Sequence, residues 1–247
     1  MTHIWEISLI GLLSGVLGTG LGGVIAFFMN KDSVRLLGFT LDFSAGLMLS
    51  IVCFDLLPEA FKLGGVGLAC IGVVVGTAII ILLDDIIKRM KSVRNSIGDK
   101  SILKTGILMA IAISLHNFPE GLAVGSGFEA SIKLGLSIAI VIAIHDIPEG
   151  IAVALPLRMG GIPKLKVLAL VILSGLPTAI GAFIGGVLGD ISEKFITLCL
   201  GFAGGAMIYI VCNELMPEAR KLHRGRLSSI GNMLGIIGGI LVVFIHG

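Results

Sequence analysis

Apolar runs of helix length, joined by short and mostly basic connections, fill this chain from end to end. A hydrocarbon core of about 30 Å needs roughly 20 residues of apolar helix to cross it. Eight segments qualify: about 5–28, 34–60, 64–87, 105–127, 132–156, 165–189, 195–218 and 228–246. Composition points the same way. Of the 247 residues 55% are hydrophobic and only 14% charged, where a soluble domain carries about 25% charge. The fold class is therefore an all-α integral membrane protein, a single transmembrane domain over residues 1–247. The start, Met1-Thr2-His3-Ile4-Trp5-Glu6, lacks the basic region of a cleaved signal peptide, so the first run is expected to stay as a span.

Lys and Arg concentrate in cytoplasmic loops. The connections after spans one, three, five and seven hold Lys31 and Arg35; Lys88, Arg89, Lys91, Arg94, Lys100 and Lys104; Arg158, Lys164 and Lys166; and Arg220, Lys221, Arg224 and Arg226. These are 15 of the 18 basic residues, leaving Lys62, Lys133 and Lys194 on the opposite side. Both termini are thus expected outside a cell membrane, with residues 88–104 as a basic cytoplasmic loop. Such a loop meets solvent and lipid head groups and needs no nucleic-acid partner.

One motif occurs twice inside the apolar runs: His116-Asn117-Phe118-Pro119-Glu120-Gly121 and His145-Asp146-Ile147-Pro148-Glu149-Gly150. Each puts a His and a Glu at i and i+4, on one helix face. Both fall near mid-span, where ionisable groups are costly and mark function. Each proline removes the helix partner of one carbonyl, Leu115 or Ile144, which is tolerated where a span lines a cavity or holds a ligand. Two His/Glu pairs at one depth read as a metal site within the bilayer; the plainer alternative is a hydrogen-bonded pair between helices. Met48 lies at the same level of the second span, either as a soft thioether ligand or as packing. This donor set suits Zn²⁺, Fe²⁺ or Mn²⁺ better than Mg²⁺ or Ca²⁺. The imidazoles bind metal only when neutral, so acid is expected to weaken binding.

The chain also repeats itself. Phe43-Ser44-Ala45-Gly46-Leu47-Met48 and Ile51 to Ala60 match Phe202-Ala203-Gly204-Gly205-Ala206-Met207 and Ile210 to Ala219 at a constant offset of 159. Spans two and seven cross in opposite directions, so this is an inverted repeat of three spans, a central pair and three spans. Such repeats characterise transporters, with the site near the midplane between them. One repeat is then expected to rock against the other. Asp55 and Glu59 end span two on the outer side, and Glu214 and Glu218 end span seven on the inner side. They are candidate entrance and exit groups for a cation, or interfacial caps.

Other signals are weaker. Cys53, Cys70, Cys199 and Cys212 show no CxxC spacing and are expected as buried packing. Gly18-Thr19-Gly20-Leu21-Gly22-Gly23 has dinucleotide-loop spacing without a preceding strand, and fits close helix packing instead. So do Gly181/Gly185/Gly189 and Gly231/Gly235/Gly239; these glycine faces also leave room for a homodimer. Asp84 and Asp85 are expected at the inner interface.

With these motifs the chain resembles the ZIP (Zrt/Irt-like) family of divalent-metal transporters over nearly its whole length. The resemblance implies eight helices in a 3+2+3 arrangement and transport of Zn²⁺, Fe²⁺ or related ions such as Mn²⁺ or Cd²⁺ towards the cytoplasm, as substrate rather than cofactor. It implies His116, Asn117 and Glu120 as ligands from the fourth helix, and His145, Asp146 and Glu149 from the fifth. Met48 falls where some members take a second-helix ligand, and Asp55 where the family has an entrance residue. Two departures stand out. Residues 88–104 contain no His, unlike the His-rich loop common in the family. Thr178 stands where some members add a Glu to a second metal position, which implies one well-formed site and a weaker one.

The leading expectation is a divalent-metal importer working by alternating access, not an enzyme. An intramembrane hydrolase with metal-activated water, with Ser126 as a weak candidate nucleophile, and a passive metal channel are the alternatives.

Overall fold

The computed structural model describes residues 2–29, 34–95, 101–222 and 225–246. These residues form α1 (Thr2–Ala26), α2 (Val34–Ile51), α3 (Leu57–Asn95), α4 (Ser101–Ala130), α5 (Ile132–Met159), α6 (Lys164–Ile191), α7 (Glu193–Ile210), α8 (Met216–Leu222) and α9 (Arg226–His246), with no strand among them. Six helical stretches among the described residues are long and apolar enough to cross a membrane: His3–Ala26, Arg35–Ile86, Ile132–Met159, Lys164–Ile191, Glu193–Leu222 and Arg226–Phe244.

Arg35–Ile86 is too long for one crossing. Straight, its 52 residues would run about 78 Å through a core of about 30 Å. Gly65 breaks it, with φ 79° and ψ 162°. Only glycine enters that region of backbone space without strain of about 1–3 kcal/mol. Gly65→Ala is therefore expected to lower the thermal midpoint of the purified protein measurably, and Gly67→Ala, at a helical position, to leave it unchanged or raise it. An added Cβ meets nothing within 4 Å at either residue, so the contrast reads backbone conformation alone.

A second irregularity follows from proline. α2 passes into α3 through a π-helical turn, Val52–Leu56, where the Leu57 N–H bonds the Val52 carbonyl. α7 passes into α8 through another, Val211–Leu215, where the Met216 N–H bonds the Val211 carbonyl. Pro58 and Pro217 each follow by one residue. A proline ring presses on the carbonyl four residues back, and widening the turn relieves it. The two turns lie 159 residues apart, as do α2 and α7 themselves. Residues 51–60 and 210–219 also share one pattern of buried, half-buried and exposed positions.

The helices pack in reciprocal pairs. A Cβ at Gly46 on α2 would strike the Asn232 carbonyl of α9, and one at Gly205 on α7 would strike the Val73 carbonyl of α3. Gly235 and Gly76 meet Phe43 and Phe202 carbonyls in the same way. Each contact maps onto its partner at the offset of 159. Around the centre, Gly22 of α1 meets the Ile147 carbonyl of α5, and Gly181 of α6 meets the Phe118 carbonyl of α4. Gly150 and Gly121 complete the set against Thr19 and Thr178.

Two bundles result: α1, α4, α5 and α6 pack together, and α2, α3, α7, α8 and α9 pack together, with α2–α5 and α4–α7 as the main joins. Each bundle takes helices from both repeats. The expected rocking of one repeat against the other would tear these glycine seams, so the repeats are not separate bodies. Of the six stretches long enough to cross a membrane, α5 is the most buried.

Polar clamps close the seams. Ser228 donates to Asp42, and Asn232 Nδ2 donates to the Asp42 carbonyl at 3.3 Å, joining α9 to α2. Tyr209 donates to Asp84 at 3.0 Å, joining α7 to α3; Asp84 is thus buried, not the interfacial residue expected. Arg158 Nη1 donates to the Ala26 and Met29 carbonyls at 2.5 and 3.3 Å, satisfying open carbonyls at the end of α1.

The glycine stripes Gly181/Gly185/Gly189 and Gly231/Gly235/Gly239 are filled by neighbours within the chain and so give no ground for a homodimer. All four cysteines are free, but only Cys199 is buried. The other three face the outside of the protein, because apolar runs in a membrane protein serve lipid as well as core. Of the expected basic loop 88–104, residues 88–95 continue α3 and 101–104 open α4. Residues 96–100, with Lys31 and Arg224, lie outside the described residues. So do the side chains of Lys88, Arg89, Lys91, Arg94 and Lys104.

Candidate metal centre

Only Ser131 separates α4 from α5, and its side chain accepts the Leu134 N–H to cap α5. This tight return sets the two motifs side by side. Both helices continue through their prolines, Pro119 and Pro148. The His of one copy meets the Glu of the other: His145 Nε2 lies 2.9 Å from Glu120 Oε1. Asp146 Oδ1 stands 3.4 Å from the same nitrogen. One ligand atom each of Glu120, His145 and Glu149 lie within 4.8 Å of one another, so a single ion could touch all three. Each of the three is fully buried.

The hydrogen-bond pattern makes this group a cation seat. His145 Nδ1 is 3.0 Å from the Val141 carbonyl, which can only accept, so the ring proton belongs on Nδ1. In the neutral ring Nε2 then presents a lone pair to the Glu120 carboxylate. Only a proton or a cation can sit between two such acceptors. Glu120 Oε2, both Asp146 oxygens and both Glu149 oxygens are buried without a hydrogen bond. Unsatisfied buried acceptors are strongly unfavourable, and a divalent ion would satisfy several at once.

Neighbouring helices hold the group in place. Ser44 of α2 donates to the His145 carbonyl at 2.9 Å, beside the Ile144 carbonyl released by Pro148. Met48 lies one turn beyond Ser44 and is fully buried. Asn117 Nδ2 donates to the Ser174 carbonyl of α6 at 2.8 Å. That leaves Asn117 Oδ1 and Thr178 Oγ1 without hydrogen bonds.

His116 does not join Glu120, His145 and Glu149. Its Nε2 is 3.1 Å from Glu214 Oε2, on the second π-helical turn. Glu214 is 28% exposed while His116 is almost fully buried, so this pair runs from the buried interior to a partly exposed carboxylate. At the first π-helical turn Asp55 is half-buried, with Oδ2 lacking a hydrogen bond. Glu59 and Glu218 each pair with a lysine, Lys62 and Lys221, at 2.9 Å. Ser44 and the Val141 carbonyl escaped the sequence reading. Ser44 left one faint signal, a hydroxyl in an apolar run, which Thr40 and Ser50 share.

Residues 94–247 match the family model described as ZIP Zinc transporter. The chain belongs to the ZIP zinc transporter family. Similar relatives, each called Zinc transporter ZupT, cover nearly all of its length. The protein of Clostridium perfringens is 32% identical, over 96% of this chain and 94% of its own. That of Akkermansia muciniphila is 34% identical, over 98% and 97%. That of Chlorobaculum parvum is 35% identical, over 94% and 92%. This ZIP member is thus a multi-pass, helical membrane protein of a transporter family. The hydrolase alternative finds no support there, and the Ser126 hydroxyl is turned back to the Leu122 carbonyl at 2.7 Å.

Proposed function

We propose that this chain carries zinc into the cytoplasm, with Glu120, His145 and Glu149 holding the ion near mid-membrane. Asp146, Asn117, His116 and Met48 complete or adjoin that ligand set, and Fe²⁺, Mn²⁺ and Cd²⁺ are secondary substrates. The observation that carries this reading is the buried His145 ring facing Glu120 and Glu149, with Glu120 Oε2 and both Glu149 oxygens lacking hydrogen bonds. The chain crosses a cell membrane eight times as one transmembrane domain, in a 3+2+3 order with both termini outside. The break at Gly65 and the reciprocal glycine contacts support that order; the basic residues support the orientation. Asp55 and Glu59 stand at the entrance, and Glu214 and Glu218 at the exit.

Access alternates by motion of the α1/α4/α5/α6 bundle against the other. All six motif residues ride on the first bundle, while Asp55, Glu59, Glu214 and Glu218 belong to the second. The ion therefore keeps its ligands from the two motifs during transit and changes its partners on the other bundle, Met48 and the groups at the mouths. Within each bundle the glycine seams hold backbone against backbone, which suits rigid-body movement.

Uptake into proteoliposomes across a panel of divalent ions tests the proposal. Saturation at micromolar zinc, with zinc taken up fastest, is expected. Linear, voltage-driven flux would replace the carrier by a channel, and tight binding without flux would remove transport altogether.

A further inference from the structure

The two mouths carry the same three charges in the same order. Asp55, Glu59 and Lys62 sit at i, i+4 and i+7, and so do Glu214, Glu218 and Lys221, 159 residues later. This spacing keeps each trio on one face of its helix, with the first carboxylate deepest. Each trio starts in a π-helical turn. In both, the lysine ammonium lies 2.9 Å from the outer carboxylate, three residues back. The lysines are 73% and 71% exposed, and the glutamates 25% and 40%. A single pair of this kind is what any exposed helix makes. Its recurrence at both mouths, beside an equivalent deeper carboxylate and next to an equivalent turn, asks for a shared cause.

We propose that Lys62 and Lys221 are tethered counter-ions that hold Glu59 and Glu218 until a divalent cation displaces them. The inference rests on the transport reading of the two mouths. An exposed ion pair is weak and readily exchanged, which suits a placeholder. A dication outcompetes one ammonium for the carboxylate, because it carries twice the charge and brings its own water. A monovalent cation offers no such advantage. The lysine thus keeps an empty mouth from collecting monovalent ions, at the expense of zinc affinity. It also leaves each trio at a net charge of −1 rather than −2, which limits salt-dependent steering. Lys62 and Lys221 are specificity-determining residues, one for each side of the membrane.

The experiment is zinc transport by the full-length protein in oriented proteoliposomes, with Lys62→Gln, Lys221→Gln and Lys62→Arg beside wild type. Half-saturation is measured from each side, at low and high potassium chloride. Lys62→Gln is expected to lower the half-saturation for external zinc by about two- to fivefold at low salt, and to make it more sensitive to potassium. Lys221→Gln is expected to do the same from the internal side only. Lys62→Arg should behave as wild type, and Lys62→Gln should have no effect once Glu59→Gln is present. An unchanged half-saturation in Lys62→Gln, or equal shifts on both sides in either variant, overturns this proposal alone. Wild-type vesicles that move no zinc overturn the transport reading with it.

Discussion

Zinc uptake at micromolar concentration is expected to fall by at least about 100-fold when His145 is replaced by alanine or Glu120 by glutamine. Losing a group that only orients a metal ligand commonly lowers affinity or activity 10- to 100-fold; a direct ligand should cost at least as much. His145 Nε2 and Glu120 Oε1 are 2.9 Å apart in full burial, so neither change can be made good by water. Isothermal titration with zinc in detergent, beside proteoliposome uptake, checks the result. Wild-type affinity in either variant would remove the centre as described. His116→Ala then separates two roles. If His116 ligates the stored ion, binding drops with transport. If it serves with Glu214 on the way out, binding persists while turnover falls.

Gly22→Val and Gly181→Val are expected to abolish recovery of monodisperse protein. A Cβ at Gly22 lands on the Ile147 carbonyl, and one at Gly181 lands on the Phe118 carbonyl. Overpacking a core usually costs about 1–3 kcal/mol, because side chains can shift. Here the obstacle is backbone of the helices that carry the two motifs, so the cost exceeds that range and spreads to the metal centre. Gly20→Ala is the control. It lies on the same helix, but its added Cβ meets only Ile172 Cγ1 at 3.7 Å, an ordinary contact. Size-exclusion chromatography and thermal unfolding separate the cases, and a well-behaved Gly22→Val protein would contradict the packing described.

Much of this was legible in the sequence because lipid simplifies the code. Apolar run length gives helices, and a repeated His-x-x-x-Glu at mid-span leaves few uses beyond a cation. The 159-residue offset, read from Asp55 to Ala60 against Glu214 to Ala219, carried through to matching helices and matching π-helical turns. What the sequence hid depends on three-dimensional reach. The i, i+4 spacing put His145 and Glu149 on one face, yet the shortest contact of His145 is with Glu120 of the neighbouring helix. His116 turned to Glu214, 98 residues on, which no local spacing announces. Asp42 shows no use in its own stretch of sequence, because its partners Ser228 and Asn232 lie on α9. The cysteines misled because hydropathy does not distinguish a lipid-facing position from a core one. Rocking of whole repeats misled because symmetry in sequence does not say which helices touch.

The reciprocal seams have a consequence for how the protein is made. Asp42 and Ser50 wait for Ser228 and Ile236, each 186 residues later in the chain. At about 5–20 residues per second, synthesis of that stretch takes roughly 10–40 s. For that time α2 is in the membrane without the helix that covers its glycine face, and α3 likewise awaits α7. The fold therefore closes last-to-first, and a ribosome that stops before α9 leaves an exposed seam for membrane quality control to recognise.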